Sequence, residues 1–182
     1  MSDRAAYARP EASEYAEAYA GYVAEAPAGE LLVVLERQGS ETQALIAGLS
    51  EQEANAAYAP GKWTLKEVLG HLADAERVFA YRALCFARGD RNPLASFDES
   101  AWAPNSAARD CELHELAEGL RAVRAATLAL LRQLPVAASL RRGTVNGKEI
   151  TVRALGWIIA GHERHHLTII RERYLTRGGG SR

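Results

Sequence analysis

The sequence predicts an all-α protein: a four-helix bundle with an extra N-terminal helical segment and a short hairpin between the third and fourth bundle helices. Three observations carry that reading. Four long segments repeat apolar residues at helical spacing. Capping and breaker residues punctuate those segments. The connections between helices 2 and 3, and between 3 and 4, are long enough for crossovers. No internal repeat at a solenoid period is present. The 182 residues are read as a single domain, 1–182, with 1–12 and 176–182 expected to be flexible. That length buries a sizeable core without disulfide or metal staples.

The elements follow in order. Tyr15, Tyr19 and Tyr22, at i, i+4 and i+7, predict a short extra helix ended by Pro27. The first bundle helix spans about Ala28 to Leu49, with Leu31, Leu32, Leu35, Leu45, Ile46 and Leu49 as its apolar positions. Thr64 and Glu67 form a T-x-x-E capping box that starts the second helix. Val68, Leu69, Leu72, Ala75, Val78 and Phe79 carry its pattern, and the polar stretch GDRNPLASFDES ends it near Gly89. Asp110 is the expected N-cap of the third helix, which Pro135 stops after Leu134. Asn146-Gly147 is a hairpin turn signal. Thr151 then caps a fourth helix from Val152 to about Tyr174, and the tail TRGGGSR is expected to fray.

Composition narrows the function classes. Apolar residues make up 48% and charged residues 25%, an ordinary globular balance. The net charge of −1 provides no global field for nucleic acid or anionic lipid. Cys85 and Cys111 are far apart and form no CxxC, so a zinc-thiolate knuckle is not indicated. No signal core and no apolar run of membrane-spanning length is present, which predicts a cytoplasmic protein with no membrane partner.

Chemistry concentrates in the histidines: His71, His114, His162, His165 and His166. Residues on a helix are ~100° apart. With His162 at zero, Leu155, Ile158, Ile159, Ile169 and Ile170 fall between about −40° and +80°, and His166 at about 40°. Two imidazoles one turn apart thus sit inside an apolar stripe and aim into the bundle, a ready metal pair. His165, at about −60°, lies on the shoulder. His71 lies close to the apolar stripe of helix 2 and supplies the third candidate. Asp74 is left open as a fourth ligand, an acceptor for an imidazole N–H, or a solvated acid. His114, among Glu112 and Glu115, reads as a surface residue. Three neutral imidazoles and no thiolate suit Zn²⁺, with Ni²⁺, Fe²⁺ or Mn²⁺ as alternatives. Such a site keeps an open position, as catalytic sites do.

The string HERHH, residues 162–166, is formally H-E-x-x-H. A protease of that class needs a further ligand downstream. The extended form would place Gly and His where this chain has Ile169 and Glu172, and 16 residues after His166 leave no room for a second helix with a glutamate ligand. The protease reading is therefore set aside. Glu163, about 100° from His162, is expected to pair with an arginine rather than act as a base.

The stretches YAPGKWTLKEVLGHLADAERVFAYRALCFARGD, FDESAW and RALGWIIAGHERHHLTIIRERYL resemble the DinB/YfiT-like family. The resemblance runs from PEASEYAEAYAGYV to Leu175 and is most specific at GHLADAER and GHERHHLTIIRERYL. It implies a four-helix bundle with a long crossover and a metal held by His71, His162 and His166. It also implies a homodimer. Characterised relatives use bacillithiol, mycothiol or related thiols. The activity implied is a metal-dependent S-transferase that brings a low-molecular-weight thiol cofactor to an electrophilic small molecule; the alternatives are a non-catalytic, metal-stabilised bundle that binds a ligand or partner, and a metal-dependent hydrolase. Arg82, Asp74 and Trp63 are placed at the mouth of that site by proximity in sequence.

Overall fold

A computed structural model describes residues 7–175. Its bundle is built from α2 (Leu31–Ala47), α4 (Leu65–Ala87), α6 (Leu113–Gln133) and α7 (Val152–Ile169). Short helices α1 (Ala20–Glu25), α3 (Glu51–Ala54) and α5 (Glu99–Trp102) decorate it. Strands β1 (Arg142–Val145) and β2 (Lys148–Thr151) form the expected hairpin, paired from Arg142↔Thr151 to Val145↔Lys148. Asn146 and Gly147, with φ of 47° and 74°, make its turn, since the twist of two antiparallel strands favours left-handed residues there.

Capping chemistry fixes most boundaries. Thr64 and Glu67 exchange their capping-box bonds at the start of α4, and the Thr151 hydroxyl accepts from the Ala154 amide at 3.1 Å to start α7. Two expectations change. Asp110 does not cap α6: it ends a 3₁₀ turn, and Glu112 with Glu115 forms the capping box instead. The first bundle helix stops at Ala47, before Gly48, and the Ser50–Glu53 box starts the separate α3. The N-terminal segment enters as 3₁₀ turns and then α1, which packs on α7. Of the ends expected to be flexible, residues 1–6 and 176–182 lie outside the described residues, whereas Tyr7 is buried and its hydroxyl donates to the Leu131 carbonyl at 2.8 Å.

The core consists of two apolar blocks with a polar belt between them. One block gathers Leu31, Leu35, Phe79, Phe86, Leu131, Trp157 and Ile158. The other gathers Ile46, Leu65, Leu69, Leu120, Leu167 and Ile170. Helices α2 and α7 run from the first block to the second, while α4 and α6 run from the second to the first. The chain is therefore wound up, down, down, up. Neighbours α4 and α6 are parallel, so residues 88–112 must travel back along the bundle, a distance of roughly 35 Å for a helix as long as α4. That crossover is anchored on the hairpin: the Leu94 amide donates to the Thr144 carbonyl at 2.9 Å, and the Asn146 amide to the Leu94 carbonyl at 3.1 Å.

The belt is held by one arginine. Arg124 of α6 donates to both Glu76 oxygens at 2.9 and 2.8 Å, to Glu163 at 2.8 Å and to the Leu35 carbonyl at 2.7 Å. Thr42 of α2 donates to the other Glu163 oxygen at 2.6 Å. All four bundle helices meet at this point. The expected arginine partner of Glu163 is thus Arg124. Replacing Arg124 by Met should destabilise the chain by about 3–5 kcal/mol in urea unfolding, because two buried carboxylates would lose their counter-charge. A Gly161→Ala change should cost at least about 2 kcal/mol in the same assay. Its methyl would lie 1.7 Å from the Tyr22 carbonyl oxygen and force α1 off α7.

Candidate metal centre

Packing of α4 against α7 brings His71 to His162 and His166. The Nε2 atoms of His71 and His162 are 3.0 Å apart, and one ring nitrogen from each of the three histidines lies within 4.8 Å of the others. Around a tetrahedral zinc with ~2.05 Å bonds to nitrogen, ligand nitrogens are roughly 3.3 Å apart. The spacing and the chemistry of the donor set therefore fit a divalent ion. Close backbone approach sustains the arrangement on both helices. Gly161, before His162, lets the α1 backbone lie against α7. Gly70, before His71, lets the crossover lie against α4, where an added methyl would sit 2.8 Å from Ala108 Cβ.

Burial sets the protonation state. His71 and His162 are buried and His166 is half-buried. Desolvation lowers the His71 pKa, against the pull of Glu99 and Asp74. It depresses His162 well below the ordinary imidazole range, with the other histidines adding to the shift. His166 falls to about 3 for the same reasons. Neutral imidazoles are the form that ligates metals.

The remaining sequence candidates divide sharply. Glu163 turns away from the cluster into the Arg124 network, and burial raises its pKa against the opposing charge of Arg124. Asp74 is bound to Arg77 at 2.9 Å and is not part of the cluster. His165 faces Glu25 at 3.2 Å, and His114 is exposed. Trp63 packs its ring 5.1 Å from His71, as expected of a residue at the mouth. Arg82 is buried and donates to the Ala95 carbonyl at 2.8 Å, which ties the crossover to α4.

Two residues at the opening are not among the sequence candidates for the site. Glu99, on the crossover, brings Oε2 to 4.0 Å from His71 Nε2. Tyr22, on α1, places its ring 5.2 Å from His162. The only sequence signal for Glu99 is its place in FDESAW. A cavity of 140 Å³ is lined by Tyr22, Arg82, Glu99 and His162, and another of 330 Å³ by Tyr58, Trp63, Tyr174 and His166. A larger groove of 510 Å³ between α2 and α6 meets Arg124 and Glu163 but no histidine, so size does not mark the centre here.

Known proteins share this architecture. The structure of YfiT from Bacillus subtilis, described as a probable metal-dependent hydrolase with an unusual four-helix bundle topology, superposes with a TM-score of 0.73 at 20% identity, covering 96% of this chain and 98% of that one. A Geobacillus thermodenitrificans protein named "Putative metal-dependent hydrolase" is 37% identical over 89 residues, 47% of this chain and 49% of its own length. A Geobacillus kaustophilus protein of the same description is 28% identical over 130 residues, 70% of this chain and 72% of its own. The chain thus spans about half the length of the Geobacillus thermodenitrificans protein it matches. These names overturn the S-transferase expectation and favour its hydrolase alternative, for the relatives are described as hydrolases. The DinB superfamily model matches residues 34–170, from α2 through the histidine pair of α7, and the chain belongs to that superfamily.

Proposed function

We propose that the chain is a metal-dependent hydrolase of small molecules, with His71, His162 and His166 as protein ligands of a divalent ion, zinc by preference. The observation that carries this reading is the convergence of three neutral imidazoles where two cavities end. Nickel, iron and manganese suit the same donor set less well. An ion held there supplies Lewis acidity and makes a bound water more acidic. The hydrolase names of the Geobacillus and Bacillus relatives support the reaction class.

The chain's own residues do the rest. Three ligands leave room for substrate and water, while Phe79, 5.9 Å from His162, closes the inner side. The 330 Å³ cavity is at the lower end of small-ligand pockets, and Tyr58, Trp63 and Tyr174 give it aromatic walls. The Tyr174 hydroxyl donates to the Trp63 carbonyl at 2.7 Å, which holds that wall together. A compact substrate with an apolar or aromatic body fits this lining.

Protein purified without a histidine tag should carry one divalent ion per chain, and His162→Ala should abolish it, as elemental analysis would establish. The zinc-loaded form should hydrolyse some member of an ester and amide panel. Less than a tenth of an ion per chain after reconstitution, or no turnover across the panel, would overturn the reading. Chelation should lower unfolding stability by about 2.7 kcal/mol when free metal had stood 100-fold above its Kd. The metal-free chain should also lose stability as pH falls from 6.5. Below that pH the unfolded histidines take up protons that the folded ones, with depressed pKa values, refuse. Each histidine contributes up to about 1.4 kcal/mol per pH unit. His166→Gln should make the slope between pH 6.5 and 5 shallower by one proton, read by urea titrations at each pH.

A further inference from the structure

We infer that Glu99 is the proton acceptor of the site: its carboxylate takes the proton from the water, or from an acidic ligand, that enters the open side of the histidine cluster. This rests on the metal-dependent reading above. Glu163, the acid inside the H-E-x-x-H string, has both oxygens engaged, by Thr42 and Arg124, and a side chain only 7% exposed. Asp74 is paired with Arg77. Glu99 is 55% exposed, yet its Oε2 lies 4.0 Å from the His71 nitrogen that faces the cluster. Among the described residues no lysine or arginine pairs with it. It is therefore an unspent carboxylate at the entrance, sharing the 140 Å³ cavity with His162, Tyr22 and Arg82.

The crossover is built to hold that carboxylate in place. Asp98 accepts from the amides of Ser100 and Ala101 at 3.0 and 3.1 Å, which sets the turn on which Glu99 stands. Trp102 packs on Phe97 at 5.1 Å, and Phe97 on Phe79 at 6.4 Å, so the segment is clamped to α4 by aromatic rings. Arg82 fixes the Ala95 carbonyl just upstream. In hydrolysis the water O–H bond breaks, its proton passes to Glu99, and the oxygen electron pair forms the bond to the substrate carbonyl carbon. When the bond to the leaving heteroatom breaks, the same proton goes to that atom. Glu99 ends as it began, and water is the only co-reactant.

Acetohydroxamic acid tests this without knowledge of the substrate, because it must give up its O–H proton to bind a zinc ion through that oxygen. Zinc affinity is measured by chelator competition, and hydroxamate binding to the zinc-loaded protein by calorimetry. Glu99→Gln should keep its zinc Kd within about threefold and weaken hydroxamate binding at least about tenfold, while Glu149→Gln on the hairpin changes neither. A Glu99→Gln protein that binds hydroxamate as tightly as the parent overturns the inference. So does a parent that holds zinc but binds no hydroxamate. A zinc affinity reduced 10- to 100-fold in Glu99→Gln also overturns it, because Glu99 would then be a ligand of the ion rather than a proton acceptor. A parent that holds no zinc overturns the metal reading itself, and the two failures are thereby told apart.

Discussion

One guanidinium holds this bundle together. Arg124 faces Glu76 on α4 and Glu163 on α7, reaches the Leu35 carbonyl on α2, and is itself part of α6. Charges removed from water cost several kcal/mol each unless every one is paired and hydrogen-bonded. An apolar interface tolerates sliding by a methylene or two, whereas a buried ion network has few alternative geometries. The network thus sets the relative rotation of the helices at one level of the bundle. Glu163 directly follows His162 in sequence, so fixing the glutamate fixes the face on which His162 and then His166 point. The histidine cluster inherits its geometry from a salt bridge on the adjacent face of the same helix.

That division gives the two carboxylates of the region opposite tasks. In an H-E-x-x-H helix of a zinc protease the glutamate serves the metal's water. Here the equivalent side chain is consumed by packing, and the opening is faced by Glu99 from another part of the chain. Winding makes this substitution natural. Parallel neighbours α4 and α6 need a connection as long as the helices themselves, and its route passes the histidines. A bundle joined by tight antiparallel turns would have no such segment to lay over the centre.

Much of this was legible from local pattern. The capping residues Thr64 and Thr151 mark two helix starts, Asn146-Gly147 marks the hairpin, and helical spacing places His162 and His166 in one apolar stripe. Such signals involve residues a few positions apart, and the physics behind them is local. The misplaced N-cap at Asp110 arose because two acidic starts compete within three residues, and only the box partner Glu115 favours Glu112. The arginine that meets Glu163 was foreseeable as a type but not as Arg124, since α6 carries several arginines with similar surroundings in sequence. Glu99 was hidden for a deeper reason. It stands in an irregular segment, where no period links position to direction. The two Gly-His pairs carried information that only close packing reveals: each glycine admits a covering segment beside a histidine.

The crossover also bears on how such a scaffold diversifies. The residues that gather the histidines belong to helices locked by a buried ionic belt, where most substitutions are costly. Those that shape one side of the entrance, from Arg91 to Asp110, lie largely exposed on a segment that contributes few side chains to either apolar block. Selection can therefore rewrite that entrance nearly independently of the centre beneath it. Descendants of one ancestral bundle would then share an inorganic core and part company in the molecules they accept, with mutational tolerance rather than catalytic need deciding where the novelty accumulates.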